Sequence, residues 1–110
     1  MTEEKMMAQL EKISKGHYLL KGQLNFKSVP ELWLKNNSSN NNTGLFSDES
    51  DTLDIDLSQL ERSDSSGLAM LVEWYREAEL QDKKITFFNL PAQMLDIARV
   101  SGLDEILPLA

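Results

Sequence analysis

At 110 residues, 41% of them apolar, the chain has the length and composition of one folded domain with a single modest core. Eighteen acidic residues against eleven basic ones leave a net charge of −7, which argues against nucleic acid and against anionic lipid surfaces as partners. Cysteine is absent, so disulfides and thiolate chemistry are excluded as well.

Met1 to Gly16 carries Glu3, Glu4, Lys5, Glu11 and Lys12 and lacks the apolar centre of a signal peptide. The longest uncharged apolar run after it, Leu68 to Val72, is far too short to span a membrane. A soluble, cytoplasmic domain with no direct membrane insertion is therefore expected. Leu10 to Ile13 reads as a first strand, turned by Ser14-Lys15-Gly16-His17. Tyr18, Leu20 and Leu24 then alternate with polar neighbours as a second strand, in which Gly22 marks a bulge. His17 is the sole histidine, and in a turn without convergent partners it reads as a surface residue rather than a metal ligand or catalytic base.

Ser28-Val29-Pro30-Glu31 has the S-x-x-E form of a capping box and opens a short helix whose apolar content is Leu32, Trp33 and Leu34. From about residue 36 to 51, asparagine, serine and aspartate dominate. Such a stretch buries too little apolar surface to offset its ordering entropy and is expected to be a flexible loop. Leu45 and Phe46 are the residues in it able to touch the domain.

Thr52 to Leu57 alternates Leu53, Ile55 and Leu57 with polar residues, the pattern of a half-buried strand. Asp54 and Asp56 share its other face. Without a convergent third ligand they read as structural, with Asp56 bonding the turn that follows rather than binding a metal. Ser58 to Ser63 is the expected link to a helix beginning at Asp64-Ser65-Ser66-Gly67 and running to about Gln81. On it, Leu68, Leu71, Val72, Tyr75 and Ala78 form the inward stripe, and Ser66, Met70, Glu73 and Glu77 share the outward face. Trp74 falls at the border of the two.

The mouth of this helix concentrates the chemistry. Asp64 is placed to cap the first backbone N–H groups, and Ser65 follows with an exposed hydroxyl. A phosphate on Ser65 would meet open N–H donors and a favourable helix dipole, opposed by Asp64. Gly67 removes a side chain where a partner's backbone could approach. Taken alone, the tetrapeptide reads first as a helix start and nothing more.

Further on, Ile85, Thr86, Phe87 and Phe88 form a buried strand, Asn89 caps the next helix with Pro91 in its first turn, and Gly102 stops it. The serines have no histidine base in any motif, and no glycine-rich phosphate loop follows a strand. An enzyme is not expected, nor a metal or cofactor.

Asp56-Leu57-Ser58, Leu60 and Asp64-Ser65-Ser66-Gly67-Leu68 together resemble the signature of the STAS domain family, which includes anti-sigma factor antagonists and STAS subunits of transporters. The run Ser63 to Trp74, the stretch Gly22 to Phe26 with Val29 to Trp33, and the ending Ser101 to Leu107 extend the resemblance. These stretches are more similar to the STAS subunits of phospholipid ABC transporters. Glu61-Arg62-Ser63 departs from the bulky apolar residues that antagonists carry before the aspartate. The resemblance implies a single mixed α/β STAS-like domain over residues 1–110, with four or five strands and about four helices. It places the phosphorylatable position at Ser65 and implies a docking surface of Asp64, Ser65, Ser66, Gly67, Ala69, Met70 and Glu73. The implied partner is the cytoplasmic ATPase of a phospholipid transporter at the inner membrane. The alternative is an anti-sigma kinase, released when Ser65 is phosphorylated.

Overall fold

The structure, a computed structural model, describes residues 8–37 and 45–110. It is a mixed α/β domain built on a four-stranded sheet of order β1-β2-β3-β4. Strands β1 (Gln9–Ser14) and β2 (His17–Leu24) form an antiparallel hairpin, while β2, β3 (Thr52–Ser63) and β4 (Lys84–Phe88) run parallel. Parallel neighbours require crossovers, and these are helices α1 (Ser28–Asn37) and α2 (Ser65–Leu80). Helix α3 (Ala92–Ser101) follows β4, and 3-10 turns occupy Leu45–Ser47 and Leu103–Glu105.

The period-two alternation of the strands is realised as one face covered by the helices and one bare face, over which no other described element packs. Tyr18, Leu20, Leu24, Leu53, Ile55, Leu57, Ile85 and Phe87 are buried under the helices. His17, Leu19, Asp54, Asp56, Thr86 and Phe88 point the other way and are exposed or half-buried. Helix α2 lies between α1 and α3 and contributes Leu68, Met70, Leu71, Trp74 and Ala78 to the core.

Several expectations are refined. Gly22 sits with φ +96° where the β2–β3 register shifts, so the bulge is present. Ser58 to Ser63 is not a link but the second half of β3, continued past a register shift opposite Leu19 and Lys21. The Asp56 carboxylate accepts from Ser58 N–H at 2.9 Å and steadies that shift, rather than a turn. Helix α1 does begin with a reciprocal box, but three residues earlier than Ser28–Glu31 suggested. Asn25 Oδ1 accepts from Lys27 and Ser28 N–H (2.8 and 2.9 Å), and Ser28 Oγ accepts from Asn25 N–H at 3.0 Å. Asn89 does not cap α3, whose N-cap is Pro91; its side chain donates instead to Asp56 at 3.0 Å. Gly102 ends α3 in the left-handed region with φ +78°, as a helix stop requires.

The expected flexible loop of residues 36–51 divides. Residues 38–44 lie outside the described residues, as do the side chains of Trp33 and Leu34. Residues 45–51 do not behave as a loop: they form a strap against the domain, with Leu45 fully buried. Asp48, also buried, accepts from Gly16 N–H (2.9 Å), Tyr18 OH (2.7 Å) and Ser50 N–H (2.8 Å) and pairs with Lys12 at 3.3 Å. Lys83 Nζ donates to the carbonyls of Asp48 and Ser50, tying the strap to the start of β4.

Candidate functional site at the mouth of helix α2

Strand β3 delivers the chain to Asp64 in extended conformation, and Asp64 N–H donates to Leu24 O at 3.0 Å at the end of β2. The Asp64 carboxylate caps the helix, accepting from Ser66 N–H at 2.9 Å and from the Ser66 hydroxyl. The Asp64 carbonyl accepts from Gly67 N–H and from the buried Ser63 hydroxyl. The first turn therefore closes on itself. A phosphate on Ser65 would not find the row of open N–H donors that the sequence suggested, because Ser66 and Gly67 already spend theirs on Asp64. Its effect there would be added charge and bulk beside the Asp64 carboxylate.

Ser65 itself is exposed, and its hydroxyl has no hydrogen-bond partner among the described residues. Gly67 is buried rather than open to a partner. A Cβ there would lie 2.8 Å from Leu24 Cβ and closer still to Ser63 Oγ, so glycine lets the helix press onto the end of the sheet. Met70 is the second correction: it is 2% exposed and belongs to the core, and Trp74 sits at the centre of the buried stripe, not at its border. With α1 and α3 on its flanks, α2 is rolled roughly 60° from the phase read off Leu68, Leu71 and Val72, at about 100° per residue.

The face that remains outside is a stripe of Ser65, Ala69, Glu73, Arg76 and Leu80, successive neighbours at helical spacing. Glu73 and Arg76 pair across it at 3.3 Å, and Leu80 is 80% exposed at its far end. Of the expected docking residues, Ser65, Ala69 and Glu73 share this surface. Asp64 and Ser66 lie half-buried at its edge, while Gly67 and Met70 are beneath it. Arg76 and Leu80 were missed as members; counting by four and three from Ser65 reaches both. Beside the mouth, Gln23, Asn25, Arg62, Asp64 and Gln93 border a polar depression of about 280 Å³.

The other singled-out residues lie elsewhere. His17 begins β2, at the opposite end of that strand from the serines, with Nδ1 3.4 Å from Asp54 Oδ2 on the bare face. Hydrogen bonding from Asn89, ahead of that from Ser58, holds the Asp56 carboxyl below the usual carboxylate range. Among the described residues, no group of three or more His, Asp or Glu side chains is placed to hold a metal ion. No described helix is long and apolar enough to cross a membrane.

A four-stranded mixed sheet with three helices on one face, and an exposed serine directly after the aspartate that caps the central helix, is the arrangement of a STAS domain. The chain belongs to this family: the family model described as "Mlab, STAS domain" matches residues 19–108. Among solved structures, a chain of the Acinetobacter MlaFEDB complex in its ATP-bound Vtrans2 conformation is 27% identical. That match has a TM-score of 0.62 and covers 86% of this chain and 93% of the other. An anti-sigma factor antagonist from Mycobacterium paratuberculosis has a TM-score of 0.70 at 21% identity, covering 94% of this chain and 83% of that one. The Bacillus cell fate determinant SpoIIAA in its phosphorylated form has a TM-score of 0.65 at 22% identity, covering 94% and 90%. At these lower identities the likeness is one of fold. No curated protein matches the sequence.

Proposed function

We propose that this domain is a non-enzymatic accessory subunit of an MlaB-type phospholipid ABC transporter, which docks on the transporter's cytoplasmic ATPase through the outer face of α2 and tunes it. The observation that carries this reading is the exposed stripe of Ser65, Ala69, Glu73, Arg76 and Leu80 on a helix whose opposite side is buried in the core. A small residue at its centre, an ion pair beside it and an exposed leucine at its end make a surface that a partner helix or loop can cover. The MlaB-type family match and the 27% identity to a chain of MlaFEDB favour a transporter as the source of that partner.

The free, exposed hydroxyl of Ser65 supports a second reading, an anti-sigma factor antagonist released from its kinase by phosphorylation of that serine. The two are separated by capture. Wild-type protein and Ala69→Arg, which plants a long cation at the centre of the stripe, are used as bait in the native host. Recovery of an ABC-type ATPase with wild type and its loss with Ala69→Arg are expected. Recovery of an anti-sigma kinase, or equal recovery with both baits, contradicts the transporter reading.

A further inference from the structure

The bare face of the sheet is a second feature of the molecule, independent of the α2 surface. Three of its four strands run parallel, and parallel strands are ordinarily covered on both faces. Here the helices cover one face, and across the other lies an open depression of about 660 Å³. Its apolar part is Ile13, 59% exposed, with Leu19 and Phe88. Its polar part is set by register: His17 pairs beside Asp54, and Leu19, Asp56 and Phe88 form one row across three strands.

The charge of the depression is one-sided. Asp54 and Asp56 both line it, and among the described residues no lysine or arginine does. Asp54 Oδ2 meets His17, and Asp56 Oδ1 takes the bonds from Ser58 and Asn89. The nearby Lys21 is already paired with Glu11 at 2.8 Å.

We propose that this face is a docking surface for a basic, apolar segment of a partner protein, with arginine or lysine side chains meeting Asp54 and Asp56 and an aromatic or aliphatic side chain seated on Leu19 and Phe88. Arginine and aromatic residues are the ones enriched in interfaces of this kind, and the complementary charge speeds and orients docking. A second copy of the chain would bring two acidic depressions together, and an anionic lipid surface would be repelled. Because the sheet separates this face from α2, both surfaces can be occupied at once, and the domain can bridge two partners.

The test is a titration of the full chain followed by backbone amide shifts. The probes are a synthetic peptide alternating arginine and phenylalanine, the same peptide with glutamate for arginine, phenethylamine, and phosphatidylglycerol vesicles. The basic peptide is expected to shift Leu19, Asp54 and Phe88, to bind at least tenfold more tightly than the glutamate peptide, and to leave Ser65 and Ala69 unmoved. Asp54→Asn and the surface substitution Ile13→Lys should each weaken it at least tenfold; Ile13→Lys keeps the test valid if the first perturbs folding. Equal binding of both peptides, unchanged binding by Ile13→Lys, or shifts confined to Ser65 and Ala69 overturns the proposal. So does phenethylamine binding as tightly as the peptide, vesicle binding, or self-association through this face. Loss of binding in Asp54→Asn or Ile13→Lys with Ser65 and Ala69 unmoved leaves the α2 reading as it stands, so the two proposals fail separately.

Discussion

At one end of β3 a carboxylate is sealed in, and at the other a carboxylate stands half in solvent and holds only the first turn of a helix. Asp48, on the strap, gathers the β1–β2 turn through Gly16, strand β2 through Tyr18 and, by its own carbonyl, Lys83 at the entry to β4. Gly16 sits with φ +77°, and a Cβ there would meet Thr52 O at 2.6 Å, so the strap and the turn are fitted to each other. Asp64, by contrast, bonds Ser66 and leaves Ser65 free above it. The difference separates two tasks along one strand: the Asp48 end locks the sheet, and the Asp64 end is left to present a surface.

The largest loss is expected at the locked end. Asp48→Asn keeps the shape but loses the charge that three donors and Lys12 surround, and it should cost roughly 3 kcal/mol at neutral pH. Burial alone would raise the Asp48 carboxyl, but the bonds from Ser50, Gly16, Tyr18 and Lys12 outweigh it and hold the group well below the usual range. Burial, then donation to Asp48, pushes the Tyr18 hydroxyl the other way. A depressed carboxyl contributes stability that is present above its unfolded pKa, about 3.9, and is lost as pH falls towards the folded value. Denaturant midpoints should therefore show a wide gap between wild type and Asp48→Asn at pH 7 that narrows steadily below about pH 4. A gap independent of pH would mean the charge is not what locks this end.

Next in size is Gly67→Ala. The added methyl has nowhere to go between Leu24 and Ser63, and about 1–3 kcal/mol should be lost in thermal or denaturant unfolding. A neutral result would show that the helix can lift from the sheet, and that Gly67 is free to serve a partner after all. Smaller again is Asp64→Ala, which removes one cap at the open end and should cost about 1 kcal/mol. If it cost as much as Asp48→Asn, the two ends would not differ in kind.

The open end was legible in the sequence and the locked end was not. The switch of apolar spacing around Asp64, from Leu53-Ile55-Leu57 to Leu68 and Leu71, is a local signal that marks the first half of β3, the start of α2 and its cap, though not the strand's continuation to Ser63. Asp48 is one acid in an asparagine- and serine-rich run, and its partners Gly16, Tyr18 and Lys83 are thirty or more positions away. Nothing local distinguishes it from a loop residue. The phase of α2 was misjudged for a related reason. Periodicity shows that one side is apolar, but the width of the buried arc depends on α1 and α3, which draw in Met70 and Trp74. Likewise Ser28-x-x-Glu31 fits a capping box, yet the chain leaves β2 early enough for Asn25 to take the cap. The motif thus located the start of α2, and which of its residues are exposed was set by neighbours the motif does not mention.

The most direct measurement is the affinity of Ser65→Glu for the proposed transporter ATPase, read beside its thermal unfolding. Ser65 is exposed and its hydroxyl makes no hydrogen bond among the described residues, so stability should stay within about 0.5 kcal/mol of wild type. If the proposed partner docks on this face, the new charge stands in its way and the dissociation constant should rise at least tenfold, about 1.4 kcal/mol. A folded Ser65→Glu that binds the ATPase as tightly as wild type would contradict the claim that the mouth of α2 is the docking surface.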